Sequence, residues 1–146
     1  MIAMSVQADV LIPGRTQAVW DVLTDLQSYP RWNPFIRSAE GALRTDARWR
    51  LELTLDGRLF FPAPVVVVEC VAGKHLAWRG GPPGLMTGLH GFALTETPEG
   101  TLLWQSEAFS GLIAQAVLPM LRTVLRQRFV ELNEALKAEV SRRADP

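Results

Sequence analysis

Residues 111–140 read GLIAQAVLPMLRTVLRQRFVELNEALKAEV, and Ile113, Val117, Leu121, Leu125, Phe129, Leu132, Leu136 and Val140 recur in them at three- and four-residue intervals. That period belongs to one face of an α-helix. A helix of this span is about 40 Å long or more. Pro119 removes a backbone donor inside it, which predicts a kink or interruption near its start. Lys137, Arg142 and Arg143 crowd the far end, where positive charge complements the helix dipole. They read as a solvated, capped end in preference to an anion site.

Upstream the period is different. Val6, Ala8, Val10 and Ile12 alternate with other residues and are stopped by Pro13-Gly14, the pattern of a strand buried on one side. TQAVWDVLTDL follows, with Thr16 as N-cap and Val19, Trp20, Leu23 and Leu26 at helical spacing, giving a short amphipathic helix. Asp21 and Asp25 lie one turn apart on its other face and read as solvated. The next segment, YPRWNPF at residues 29–35, holds two prolines that disfavour a helical conformation for Tyr29 and Asn33. It predicts at most a brief turn, with Trp32 and Phe35 inserted against the first helix and Tyr29 at a cavity mouth or on the surface. RWRLELTLD then alternates cleanly, and VVVVECV, HLAWR, LHGFALTE and TLLWQSEAF are short runs bounded by Gly or Pro. They predict a meander of antiparallel strands.

One strand, short helices, about six more strands and one long helix set a geometric problem. An open sheet of seven strands is about 29 Å wide, whereas a helix is about 10 to 12 Å across. The sheet must therefore curl around the helix, and the space between them is filled by bulky side chains or by a ligand. Alternation puts Trp49, Leu51, Leu53, Val66, Val68, Leu76, Trp78, His90, Phe92, Leu94, Leu102, Trp104 and Ser106 on the inward face. Such residues fill a core or line a pocket for a flat or aliphatic molecule, and both readings stand.

Composition narrows the function classes. The 146 residues suffice for one domain burying roughly 70% of the surface of the unfolded chain. Fifteen basic residues balance fifteen acidic ones, and no basic stripe with interleaved aromatics occurs, which argues against nucleic acid. The start of the chain has no basic region followed by an apolar stretch, and LIAQAVLPMLRTVL is shorter than a membrane span and interrupted. A cytoplasmic protein is expected, with transient membrane contact left open and no feature fixing an oligomeric state. Cys70 is the single cysteine and reads as a small core hydrophobe. Two histidines and one cysteine without ligand spacing give no metal site, and no cofactor is implied. GGPPGLMTGLHG lacks the Gly-Lys-Ser/Thr ending of a phosphate loop and reads as a hairpin connection, with Leu85 and Met86 over a cavity entrance.

The runs VWDVLTDLQSYPRWNPFIRSAEG, HLAWRG and LHGFALTETPEGTLLWQSEAFSGLI, followed by the helix containing LNEALKAEV, resemble the START-like, or SRPBCC, superfamily in its polyketide cyclase/dehydrase and lipid-transport branch. The resemblance spans Val6 to about Val140, within a single domain at 1–146. It implies an α+β helix-grip fold, a curved antiparallel sheet of about seven strands around the C-terminal helix with short helices after the first strand. It also implies a hydrophobic tunnel that binds lipids, polyketides or other apolar small molecules. FFPAPVVVV departs from the pattern, and its prolines predict an edge or a loop at the mouth, with Phe60 and Phe61 as a portal or as ordinary surface.

The expected site is lined by Trp49, Leu51, Val66, Val68, Trp78, Phe92, Trp104, Leu121 and Leu125, with His90 and Ser106 orienting a ligand. Carriage of an apolar small molecule is the leading expectation. A cyclase or dehydratase with His90 as acid or base is the alternative. A regulatory or co-chaperone-like interaction domain is a third.

Overall fold

A computed structural model describes residues 2–145. Its elements are β1 (Ile2–Ile12), α1 (Thr16–Thr24), a 3₁₀ turn at Leu26–Ser28, α2 (Tyr29–Trp32), β2 (Ile36–Glu40), β3 (Arg48–Leu53), β4 (Phe61–Val71), β5 (His75–Gly80), β6 (Thr87–Thr97), β7 (Gly100–Ser110) and α3 (Leu112–Ala144). The strands form one antiparallel sheet of seven in the order β1-β7-β6-β5-β4-β3-β2. This is the helix-grip arrangement, with α3 laid along β1 and β7 and against α1.

Two apolar clusters fill the grip. The larger joins Ile12, α1, the inner face of β3 to β6 and the C-terminal half of α3 through Leu132, Leu136 and Val140. The smaller lies under the N-terminal half of α3 and gathers Met4, Val6, Ala8, Phe109, Ala114, Leu118 and Phe129. Cys70 packs against the larger cluster, and burial raises the pKa of its thiol.

Several expectations are corrected. YPRWNPF contains the four-residue helix α2, with Pro30 in its first turn, where a missing N–H costs nothing. Tyr29 is its inserted residue, 1% exposed, and its hydroxyl donates to the Leu23 carbonyl of α1. That burial, with the Asp25 charge adding to it, raises the phenol pKa. Trp32 and Phe35 are half-buried against the same core. Pro62 and Pro64 lie within β4, opposite Glu52 and Arg50, so of the edge or loop expected here the segment is the edge. It is tolerated because β5 joins β4 only from Val65 onward, so the two nitrogens face an unpaired side.

The long helix runs through Pro119 without a break. In its first half the buried stripe is Ala114 and Leu118, while Ile113, Val117 and Leu121 are 45%, 42% and 38% exposed. That half is apolar on most sides, so spacing alone does not decide which stripe faces the sheet. Its first turn lacks a side-chain cap. The Leu112 and Ile113 N–H groups instead donate to the Gly84 and Leu85 carbonyls of the β5–β6 loop at 3.1 and 2.9 Å. Gly111 makes this possible: its φ of 110° and ψ of 168° belong to a region open essentially to glycine alone. A Cβ there would stand 2.3 Å from the Leu85 oxygen.

Candidate functional site

β6 and β7 are joined by a turn at Pro98–Gly100, and the register of this hairpin builds the site. His90 is paired with Glu107 and Phe92 with Gln105, so these four side chains share the inner face. His90 Nδ1 lies 3.1 Å from Glu107 Oε1, and its Nε2 lies 3.1 Å from Gln105 Nε2. A carboxylate only accepts, so the Nδ1 proton is donated to Glu107. The Nε2 lone pair then accepts from the Gln105 amide, an assignment that follows from the partners.

The imidazole is enclosed by rings. Trp78 stacks on it at 5.1 Å and 6°, and Phe92 and Phe129 lie at 5.1 and 5.3 Å. Side-chain exposure is 13% for His90 and 20% for Glu107. A Cβ on Gly88 would fall 2.2 Å from Glu107 Oε2, so the glycine leaves the space that the carboxylate occupies. The result is a polar spot of one ring, one carboxylate and one amide in an aromatic wall.

The helix supplies the opposite wall. Arg122 donates to the Ser5 carbonyl and marks the flank of α3 turned to β1, whereas Arg128, 5.6 Å from the Phe35 ring, marks the other flank. At about 100° per residue, Val117, Leu121 and Val124 fall within about 40° of Arg128. Leu125 packs against the smaller cluster beside Phe129. The half-exposed apolar side of α3 is therefore turned to the flank on which Arg128 reaches Phe35.

Of the residues expected to line the site, Trp49, Leu51, Trp78 and Phe92 are buried on the inner face, and Leu121 and Leu125 lie on the helix as described. Val66, Trp104 and Ser106 face outward. The VVVV run has no alternation to set its phase, and Val65 and Val67 take the inner positions opposite Trp49 and Trp78. Val68 falls at the irregularity between Val67 and Glu69. In β7 the inward set is Leu103, Gln105, Glu107 and Phe109, one residue out of phase with Leu102, Trp104 and Ser106; such a slip flips every side chain. Trp104 is 41% exposed and borders an outer depression of about 310 Å³ with His75, Leu89 and Ser106. A second outer trough, of about 950 Å³, runs between Arg48, Arg50, Val66 and Arg79. His90 lines neither.

Among the described residues, no three His, Cys, Asp or Glu side chains come together as metal ligands, and no helix is long and apolar enough to cross a membrane.

Residues 3–141 match the family described as polyketide cyclase/dehydrase and lipid transport. The chain belongs to that family, within the START-like superfamily. The solved structures agree with this family fold. The Zhui aromatase/cyclase from Streptomyces sp. R1128 superposes with a TM-score of 0.77 at 16% identity, covering 97% of this chain and 95% of that one. A START superfamily protein from Mycobacterium smegmatis gives 0.77 at 17% identity, covering 94% and 97%. The di-domain aromatase/cyclase StfQ of the steffimycin biosynthetic pathway gives 0.77 at 16% identity, and the START-like chain described here, 97% covered, spans 52% of it. At such identities the likeness shows the fold alone. A sequence search of curated proteins finds no match.

Proposed function

We propose that this START-like protein binds an apolar small molecule, a lipid, polyketide or similar, between the inner face of β6–β7 and the N-terminal half of α3. The observation that carries the reading is the pairing of two unfinished surfaces. Val117, Leu121 and Val124 are 42%, 38% and 52% exposed on one flank of the helix, and the partly open His90–Glu107 pair lies in the aromatic wall it spans. Covering about 200 Å² of that apolar surface would contribute about 5 kcal/mol before the costs of association. Because Trp49, Trp78, Phe92 and Phe129 are closely packed, a ligand enters by lifting the helix from the sheet.

Titration with the neutral fluorophore N-phenyl-1-naphthylamine tests this reading. Saturable binding with quenching of tryptophan emission is expected, weakened at least fivefold by Leu121→Glu. No saturable binding of any apolar probe would end it.

A second reading, catalysis, is favoured by the carboxylate that fixes the His90 tautomer. With Gln105 turned aside, Nε2 can take one α-proton of a 1,3-dicarbonyl; the enolate carbon then attacks a second carbonyl and the proton is returned to the new alkoxide. Nε2 next takes the second α-proton, the C–O bond breaks, and the departing hydroxide takes that proton and leaves as water. On this reading His90→Gln lowers turnover of a linear poly-β-keto thioester at least a hundredfold and leaves probe binding within about threefold. Equal losses in both point to positioning alone.

A further inference from the structure

Two buried carboxamides have unused hydrogen-bonding atoms. Gln105 is 0% and Asn133 1% exposed. Gln105 spends its amide nitrogen on His90, and its Oε1 has no partner among the described residues; Asn133 has none for Oδ1 or for Nδ2. Both border one layer. Gln105 stands between Ala8 of β1 and Phe92 of β6. Asn133 comes one helical turn after Phe129, whose ring touches His90, on the buried face of the helix that packs on β1 and β7.

The orientation of Gln105 is fixed by its neighbour. In the neutral imidazole Nδ1–H donates a hydrogen bond to Glu107, so Nε2 accepts from the Gln105 amide nitrogen and the Gln105 oxygen turns away from the ring. Whichever way Asn133 is turned, it brings one oxygen and one NH₂. The interior thus offers two acceptors and one donor group without partners, and buried polar groups of this kind call for one.

Different ligand ends meet that set differently. A hydrocarbon satisfies none of it. A ketone accepts from Asn133 and leaves both amide oxygens unmatched. A carboxylate brings only acceptors and a charge beside Glu107, and among the described residues no Lys or Arg is buried to offset it. A hydroxyl donates its proton to one of the oxygens and accepts from the Asn133 NH₂. We propose that Gln105 and Asn133 form the selective end of the interior site, where it reaches past Phe129 into the C-terminal half of α3, and that its ligand is a neutral hydroxyl-bearing apolar molecule, an alcohol or a phenol. This rests on the reading that the interior takes an apolar ligand, and it deepens that reading by naming the ligand's polar group.

The test compares 1-naphthol with 1-methylnaphthalene, in which a methyl replaces the hydroxyl, and with 1-naphthoate, by calorimetry on the native chain and on Asn133→Leu. The native protein should bind naphthol at least tenfold more tightly than either of the others. Asn133→Leu should remove the preference over methylnaphthalene while changing methylnaphthalene binding by no more than about threefold. Its melting temperature should rise, because leucine fills the site without unpaired groups. Equal changes for both probes would show that Asn133 only packs, or holds an ordered water, and would overturn the proposal. Absence of a naphthol preference in the native chain overturns it even where the variant fails to fold. Binding of N-phenyl-1-naphthylamine without that preference removes the hydroxyl end alone; loss of all apolar binding removes the underlying reading as well.

Discussion

Replacing Trp49 by alanine should lower the unfolding free energy by about 4 kcal/mol, within the range of about 3 to 5 for deleting a large buried aromatic. The indole is 1% exposed, its ring lies 5.4 Å from that of Trp78, and its Nε1–H donates to the Ala42 carbonyl at 2.7 Å. Gly41 is laid against it so closely that a Cβ there would come 2.1 Å from Trp49 Cδ1. The Gly41–Ala42 backbone closes one side of the hole and the packed Trp78 ring another, so the cavity is filled only in part. For a domain whose total stability is about 5–15 kcal/mol, the loss takes about a quarter or more. Trp49→Phe keeps most of the packing and abandons the hydrogen bond, for a loss of about 1 to 2 kcal/mol. Urea denaturation of both variants measures this, and a cost below about 1 kcal/mol for the alanine change would contradict the packing described here.

The second large effect concerns the far end of α3. Glu139 is 4% exposed and receives Arg31 at 2.6 Å, Arg142 at 2.7 and 2.9 Å, and Arg143 at 2.9 Å; Arg143 also reaches Asp25 at 2.9 Å. Glu139 therefore ties α2 to the last turns of α3, and Arg143, held by the same carboxylate, ties in Asp25 at the end of α1. Hydrogen bonds from Arg142 first, with those from Arg31 and Arg143, hold its pKa far below the usual carboxylate range against the opposing effect of burial. A carboxylate with a depressed folded pKa adds stability above its unfolded value of about 4.3, and this is lost as the pH falls below it. Glu139→Gln should cost about 3 kcal/mol at pH 7, the lower end for removing one member of a buried pair, because Arg31 and Arg142 stay largely in water. The gap between variant and native protein should close on acidification from pH 5 to pH 2. A gap independent of pH over that window would show that shape, and not charge, holds the junction.

The readable and unreadable parts of the chain differ for physical reasons. RWRLEL alternates in only one possible way, so the inward side of Trp49 and Leu51 was legible. LHGFALTE likewise fixes His90, Phe92 and Leu94. TLLWQSEAF has leucines in both phases, and the choice between Trp104 and Gln105 is made by pairing with β1 and β6, which no local pattern records. Glu107 and Gln105 were missed for that reason, although a polar pair opposite an inward histidine is a signal once the register is known. Asn133 reads as one polar residue among several in LNEALKAEV, and only the packing of α3 shows that it is interior. The curled sheet itself was legible because widths of strands and helices are nearly constant.

The two carbonyls that receive the first N–H groups of α3 carry a kinetic consequence. These two bonds tie the helix start to the β5–β6 loop, and Gly81 and Gly111, with φ of 96° and 110°, stand at the two ends of the tie. If ligands enter by lifting the helix, arrival and departure cross the same gate. Loosening it with Gly111→Ala then speeds both processes alike, and stopped-flow traces should show faster exchange of N-phenyl-1-naphthylamine at nearly unchanged affinity. A change in departure alone would place the gate elsewhere. In such a protein the residence time of the cargo is set by a latch that never touches it.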